Sequence, residues 1–522
     1  MPSRAYLWRS FMLPLSSQLA TWLPWLYALA LLPVAWWPTR MAASLWWPGR
    51  LAGIGGLALL LAALAQAALD DQPADRLGLA MASLISLLAL VIVEFSARYL
   101  QGEPGQRRYL LALLGTLAAV AMVVTSRDLY GLVAAWIVSS LCLHQLLTFY
   151  RDRPMALVVA HKKFLASRLA DVCLLLASVL LVRAAGSSEL AQILDQVAVR
   201  LDGGALGWDL HLAAVLLVLA VILKSAQLPV HGWLIQVMEA PTPVSALLHA
   251  GLVNLGGFVL LRFAPLLSAA PVAQTLLVVV GGLTAVLAAL VMMTRISIKV
   301  RLAWSTCAQM GFMLLECGLG LYELALVHLL AHSLYKAHAF LTSGERVLQV
   351  RHQALQPQRP APALLSLLLG LALAGLAMAL LDQLWRYLVP MHPLPMEALV
   401  ILAVGLAPWC LRRSQPVYAA LMLTALLGLY LLWHLVASWI LASGAAFASA
   451  PLYLSLLALA LFLGLYLLQA WIVARPQGLL ARRLYPAAFA GFFLDEHFTR
   501  LTFRLWPVRP LPANLAANGE RP

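Results

Sequence analysis

The feature that most constrains this chain is the repetition of apolar stretches about 20 residues long, nearly free of charge, along its 522 residues. Hydrophobic residues make up 63% of the sequence and charged residues only 11%, with a mean hydropathy of +0.88. Surface-to-volume scaling prevents a soluble domain from hiding so much apolar surface. A bilayer can take it. No segment is polar and long enough to form a separate soluble domain, so the expected fold is an all-α polytopic membrane protein.

Spans are expected at 22–37, 51–69, 77–98, 109–125, 128–149, 164–183, 212–235, 243–263, 272–293, 300–320, 323–343, 363–382, 396–411, 417–441 and 452–474, about fifteen in all. The last segment, Tyr485 to Trp506, mixes aromatics with Asp495, Glu496, His497, Arg500 and Arg504 and reads as interfacial. The chain therefore divides into a membrane domain over 1–484 and an interfacial cytoplasmic segment over 485–522. Met1 to Trp22 lacks a clean apolar core followed by a small-residue cleavage site, so no signal peptide is expected.

The net charge of +14 would suggest nucleic acid in a soluble protein. Here the basic residues alternate between loops. One side carries Arg40/Arg50, Arg98/Arg107/Arg108, Arg151/Arg153/Lys162/Lys163, Arg295/Lys299/Arg301, Arg346/Arg351/Arg359, Arg412/Arg413 and Arg475/Arg482/Arg483. The other carries Arg76, Arg127, Arg183, Arg200, Arg262 and Arg386, rarely more than one per loop. By the positive-inside rule the richer side is cytoplasmic. An odd number of spans in a bacterial inner membrane then puts the N-terminus in the periplasm and the C-terminus in the cytoplasm.

A charge at the bilayer centre costs roughly 2.5–3.5 kcal/mol on insertion scales, so each exception needs a reason. Lys224 sits within the run from Leu212 to Val237, followed by Pro229, Glu239, Pro241 and Pro243. Proline removes a backbone donor and opens the helix ladder. A lysine beside a broken helix is a way to build an ion site at mid-membrane. His249 follows in the next span, and its titration range suits proton relay. His328, His332 and Lys336 recur every fourth residue and so share one helix face, with His338 off that stripe. Core packing would not select three titratable groups on one apolar helix. Arg168 and Asp171 can pair on one face, either to pin a helix end or to tune Lys224. His144 lies deep in its span, whereas Glu94 and Asp382 lie near span ends, where headgroup exposure is expected.

The cysteines, Cys142, Cys173, Cys307, Cys317 and Cys410, all sit in apolar runs without a CxxC pair, which argues against zinc or iron–sulfur ligation and for small buried hydrophobes. There is no GxxxxGK[ST], no GxGxxG in strand–helix context and no HExxH. No cofactor is expected in this chain. Driving chemistry must come from an ion gradient or a partner.

Lys224–Pro229, His231–Leu234 and Met238–Ala250 together resemble the signature of proton-translocating antiporter-like subunits. That superfamily includes the large membrane subunits of respiratory NADH:quinone oxidoreductase and of multi-subunit Na+/H+ antiporters. Ile298-Lys299, Leu302–Thr306 and His328–Lys336 look like its second block. Lys162, Phe164, Arg168 and Asp171 match its sixth helix, and Gly491–Glu496 resembles the tail of the subunit-5 branch. The resemblance covers roughly residues 80–345 well. It implies two inverted five-helix repeats over about 109–411, each a half-channel with a broken helix. Lys224 would be the central lysine of the first, and His328, His332 and Lys336 would link the two.

The departures from that pattern are specific. Respiratory members carry a glutamate directly after a fifth-helix tryptophan, whereas here Trp136 is followed by Ile137. No counterpart of the long lateral helix is expected. The second half-channel's lysine is not evident, with Asp382 as the substitute. The wording of His231–Ala240 and Gly251–Phe258 is most similar to the DabB family, membrane subunits of DAB inorganic-carbon accumulation complexes. Their partner, DabA, is a large cytoplasmic protein with a carbonic-anhydrase-like zinc site. The resemblance implies that H+ or Na+ flow through a non-enzymatic subunit drives one-way CO2 hydration in the partner and traps bicarbonate. The alternatives are a proton-pumping subunit of an NADH dehydrogenase-like complex, a multi-subunit Na+/H+ antiporter, and a non-conducting anchor, which would have no use for the His328–His332–Lys336 stripe.

Overall fold

Hydrocarbon offers no water to backbone N–H and C=O groups, so a chain this apolar must satisfy them within helices. The computed structural model describes residues 15–36, 44–67, 69, 75–204, 206–345, 363–388, 394–408, 410, 416–441 and 450–507, and among these there is no β-sheet, only an isolated bridge between Asp128 and Glu189. Arg40, Arg346, Arg351, Arg359, Arg412 and Arg413, counted above as loop charges, lie outside the described residues, as do 1–14 and 508–522.

The helices are α1 (Leu15–Trp36), α2 (Trp47–Ala67), α3 (Arg76–Tyr99), α4 (Gln106–Thr125), α5 (Leu129–Leu147) and α6 (Pro154–Ala185). A surface helix α7 (Leu190–Asp202) leads to α8 (Trp208–Lys224), α9 (Gly232–Gln236), α10 (Thr242–Ala250) and α11 (Leu255–Arg262). Then follow α12 (Pro271–Met293), α13 (Ile298–Gly318), α14 (Tyr322–Leu341), α15 (Leu364–Leu388), α16 (Met396–Leu406), α17 (Pro416–Leu441) and α18 (Leu452–Ala474). Two short helices, α19 (Leu479–Phe489) and α20 (Glu496–Leu505), close the described chain.

Eleven helices among the described residues are long and apolar enough to cross a membrane, against the expected total of about fifteen. The shortfall has physical causes. The expected span 212–235 is interrupted after Lys224, α13 and α14 carry too many polar groups, and α16 is only 11 residues long. The expected span 243–263 is kinked into α10 and α11 by a 3-10 turn, Leu252–Asn254.

Helix starts are fixed by local chemistry. Asp75 caps α3 by accepting from the Gly78 amide at 2.9 Å, and Asp128 caps α5 by accepting from Gly131 at 2.7 Å. Pro154 opens α6 at the position where its missing N–H is not needed. Most of α1–α14 shares one apolar core, while α15, α16 and α18 pack around a second, smaller one. The tightest crossing joins α12 to α13: a Cβ on Gly281 or on Gly311 would stand 2.6 Å from the other's carbonyl oxygen, so only glycine lets the backbones meet. Loops with Arg98, Arg107, Arg108, Arg151 and Arg153 define a basic face, and helix directions place Asp75, Arg127, Glu189 and Arg262 on the opposite face.

Candidate functional site

Lys224 is the last residue of α8, and the chain then leaves helical geometry from Ser225 to His231, with Ala226 at φ +53°. The break frees backbone groups that the surroundings recapture. Cys307 donates its thiol to the Ala226 carbonyl at 3.3 Å, and the Leu228 amide donates to Thr284 Oγ1 at 3.2 Å. Cys307 is thus more than the small hydrophobe expected from sequence. Lys224 itself is 4% exposed. Its ammonium donates to the Trp136 carbonyl at 3.3 Å and lies 4.3 Å from the centre of the Trp136 ring. Asp171 and Arg168 of α6 lie within electrostatic reach. These two form the expected pair, with Arg168 Nη2 at 2.7 Å from Asp171 Oδ2. The carboxylate near Lys224 therefore comes from α6, while the position after Trp136 is Ile137.

Lys162 and Lys163 were expected among the loop charges, and the structure corrects this. Both are buried inside α6, which begins eight residues before Lys162 at Pro154. Lys163 donates to the carbonyl and the hydroxyl of Ser140, each at 2.8 Å, and Arg168 donates to the same hydroxyl at 3.2 Å. Lys163 also lies within reach of Lys224 and Asp171. The signal was present in the sequence, because 163, 167 and 171 fall on one helix face. Lys162 turns the other way and meets Asp495 Oδ2 at 2.6 Å and Gln236 Oε1 at 3.1 Å.

The second cluster lies along α14. Lys336 is buried and donates to the Ser305 hydroxyl and, at 3.4 Å, to the Leu302 carbonyl. His332 is buried one turn away, and neither ring nitrogen has a hydrogen-bond partner. The His328 ring lies 6.1 Å from that of His332. Its Nδ1 is 2.9 Å from Glu316 Oε2 of α13, an acid not singled out in the sequence. His338 is exposed, off the stripe as expected. His249 of α10 stacks on Phe340 of α14 at 4.4 Å, with both ring nitrogens buried and unpartnered. Asn254 in the kink beyond it donates to Ser333 Oγ at 2.6 Å. Buried polar groups are normally hydrogen-bonded. Two buried imidazoles without protein partners, His249 and His332, beside the Glu316-paired His328 are suited to holding water and passing protons.

The other expected residues lie elsewhere. Glu239 sits in a 3-10 turn, its side chain 44% exposed and 3.6 Å from Arg153, outside the buried line. Asp382 pairs with Arg386 at 2.8 Å on α15, a helix whose apolar residues Ala374, Met378 and Trp385 belong to the second core. Glu94 is half-exposed between Arg50 and Arg98. His144 packs edge-on against Phe164, 5.4 Å between ring centres, near Lys163. Pro229 lies in the break, and Pro241 and Pro243 flank the start of α10.

Residues 126–381 match the transmembrane family described as NADH:quinone oxidoreductase/Mrp antiporter. The chain is 41% identical over 440 residues to a probable inorganic carbon transporter subunit DabB of Hydrogenovibrio crunogenus, covering 83% of each. It is 34% identical over 271 residues to NADH-ubiquinone oxidoreductase chain 5 of Metridium senile, covering 52% of this chain and 44% of that one. Its fold is similar to the Mrp complex from Dietzia sp., with a TM-score of 0.54 at 24% identity, covering 95% of this chain and 58% of the other.

Proposed function

The chain belongs to the antiporter-like family of membrane subunits that spans NADH:quinone oxidoreductases, Mrp antiporters and DabB-type subunits, and from that premise we propose that it is the H+- or Na+-conducting subunit of a DAB-type inorganic-carbon accumulation complex. It sits in a bacterial inner membrane with its basic face toward the cytoplasm. Ions move through Lys224 and along Lys336, His332 and His328. That flow drives CO2 hydration in a large, zinc-containing, carbonic-anhydrase-like partner (DabA), which traps bicarbonate. The chain itself is not an enzyme and uses no cofactor of its own.

One observation carries ion conduction: two buried lysines, one ending a broken helix and the other one turn from His332, whose ring, like that of His249, is buried without a hydrogen-bond partner. A passive anchor would be more stable with leucine at these positions. The likeness to DabB over most of both chains supports the carbon-accumulation assignment. A respiratory or Na+/H+-antiporter role is the second reading. Ile137, where respiratory members carry a glutamate, counts against it.

Two measurements test the proposal. Purification from the native host should bring down a large zinc protein, whereas a quinone-reducing or antiporter assembly would sink the assignment. Lys224→Ala should abolish bicarbonate accumulation with assembly intact; accumulation at full rate would rule out the half-channel.

A further inference from the structure

In sequence the titratable stripe of α14 ends at His328, but in three dimensions it continues. Glu316 is 1% exposed. Its Oε2 lies 2.9 Å from His328 Nδ1, while its Oε1 is buried without a partner. Such a carboxylate is costly in an apolar interior, and a helix could replace it with leucine. α13 begins on the basic face, and at about 1.5 Å per residue Glu316 lies about 27 Å along it from Ile298, close to the opposite face.

Further polar groups lie just beyond. Glu323, in the first turn of α14, has a side chain 35% exposed and 3.2 Å from Nδ1 of the buried His434 on α17. Tyr430, one turn before His434, stacks on that ring with 6.2 Å between centres. It lies within electrostatic reach of both Glu316 and Glu323. The groups therefore run from Lys336 through His332, His328 and Glu316, past Tyr430, to the partly exposed Glu323–His434 pair.

We propose that Glu316 is the proton-carrying carboxylate at the end of this line, and that Glu323 and His434 form the mouth through which it exchanges with the face opposite the basic loops. This deepens the ion-conduction reading and rests on it. Glu316 occupies the functional place that the sequence left to Asp382. In the step itself, the Nδ1 proton of a His328 imidazolium passes to Glu316 Oε2. The imidazolium becomes neutral imidazole and the carboxylate becomes the neutral acid. The proton then leaves toward Tyr430 and the mouth. The titratable groups facing Glu316 are His328 from α14, Tyr430 from α17 and Cys317 on its own helix.

The test is proton flux in the purified complex reconstituted into liposomes, read with an internal pH dye across a range of pH. Glu316→Gln keeps the shape and a hydrogen bond to His328 but cannot carry a proton. It should lower flux at least tenfold with the melting temperature and assembly retained, and Glu316→Asp should restore part of the flux with a displaced pH profile. Wild-type flux in Glu316→Gln overturns the proposal. Should that variant fail to assemble, Glu316→Asp decides: a displaced profile supports the proposal and an unchanged one overturns it. Lys224→Ala separates the two levels. If it abolishes flux while Glu316→Gln does not, only the role of Glu316 falls. If neither affects flux, the conduction reading falls with it.

Discussion

Lys162 Nζ lies 2.6 Å from Asp495 Oδ2, so an ammonium buried in α6 is neutralised by a carboxylate 333 positions later. The same carboxylate fills the space over Gly232 at the start of α9, where a Cβ would stand 1.7 Å from Asp495 Oδ1. Trp506 stacks on His161 with 3.9 Å between ring centres. One contact thus holds α6, the broken helix and the C-terminal helices together at the basic face.

Asp495→Ala would leave Lys162 buried without its counter-charge. Removing one partner of a buried pair typically costs about 3–5 kcal/mol, much of it from the stranded charge. The expected result is a lower melting temperature in detergent and faster proteolysis around α20. Lys162→Met in the same background should recover more than half of the loss. An unchanged melting temperature in Asp495→Ala would show that this pair does not dock the tail.

On the opposite face, Arg262 donates to both carboxylate oxygens of Asp75 at 2.7 Å and ties α11 to the start of α3. Burial alone would raise the Asp75 carboxyl. The Arg262 charge and hydrogen bonds outweigh it, with help from the Gly78 amide and Arg127, and hold it below the ordinary carboxylate range. A depressed folded-state pKa gives stability that is present above the unfolded pKa and lost as pH falls through the folded one. Asp75→Asn should therefore destabilise the protein by about 2 kcal/mol at neutral pH. Its melting temperature should converge with that of the wild type in acid. A gap that persists at the lowest pH would assign the effect to shape instead of charge.

Gly281 and Gly311 let α12 and α13 touch backbone to backbone. Gly281→Val forces the helices apart, and overpacking of this kind costs about 1–3 kcal/mol. Because α13 carries Ser305 and Glu316, which hold Lys336 and His328, flux should fall along with stability. Normal flux in a variant of lowered melting temperature would uncouple that crossing from the pathway.

Lys224, the His328–His332–Lys336 stripe and the proline-marked break were legible because hydrocarbon makes every charge an exception. Lys162 and Lys163 were misplaced because two lysines after a basic loop look like loop charge, and only the position of Pro154 shows that the helix has already run more than two turns. Glu316 was hidden because a lone acid near a span end suggests headgroup contact, and its partner arrives only when α13 folds back against α14. Glu239 lies off the buried line because a 3-10 turn brings it to Arg153, and Asp382, near the end of its span, pairs with Arg386 one turn on.

The two lysines around Asp171 make the sharpest prediction. Lys163 and Lys224 both lie within reach of this one carboxylate, and like charges in a low-dielectric interior repel strongly. Arg168 already pairs with that carboxylate, so Lys163 and Lys224 compete for its remaining compensation. Lys163→Met would remove this competition and leave Lys224 with the Arg168–Asp171 pair. Flux in the reconstituted complex should then fall at least tenfold with assembly intact. Asp171→Asn should fall comparably, because neither ammonium keeps its counter-charge. The double variant should be no worse than either single one, since both remove the same competition. If the single losses multiply in the double variant, Lys163 and Asp171 act independently and the shared-carboxylate mechanism is wrong.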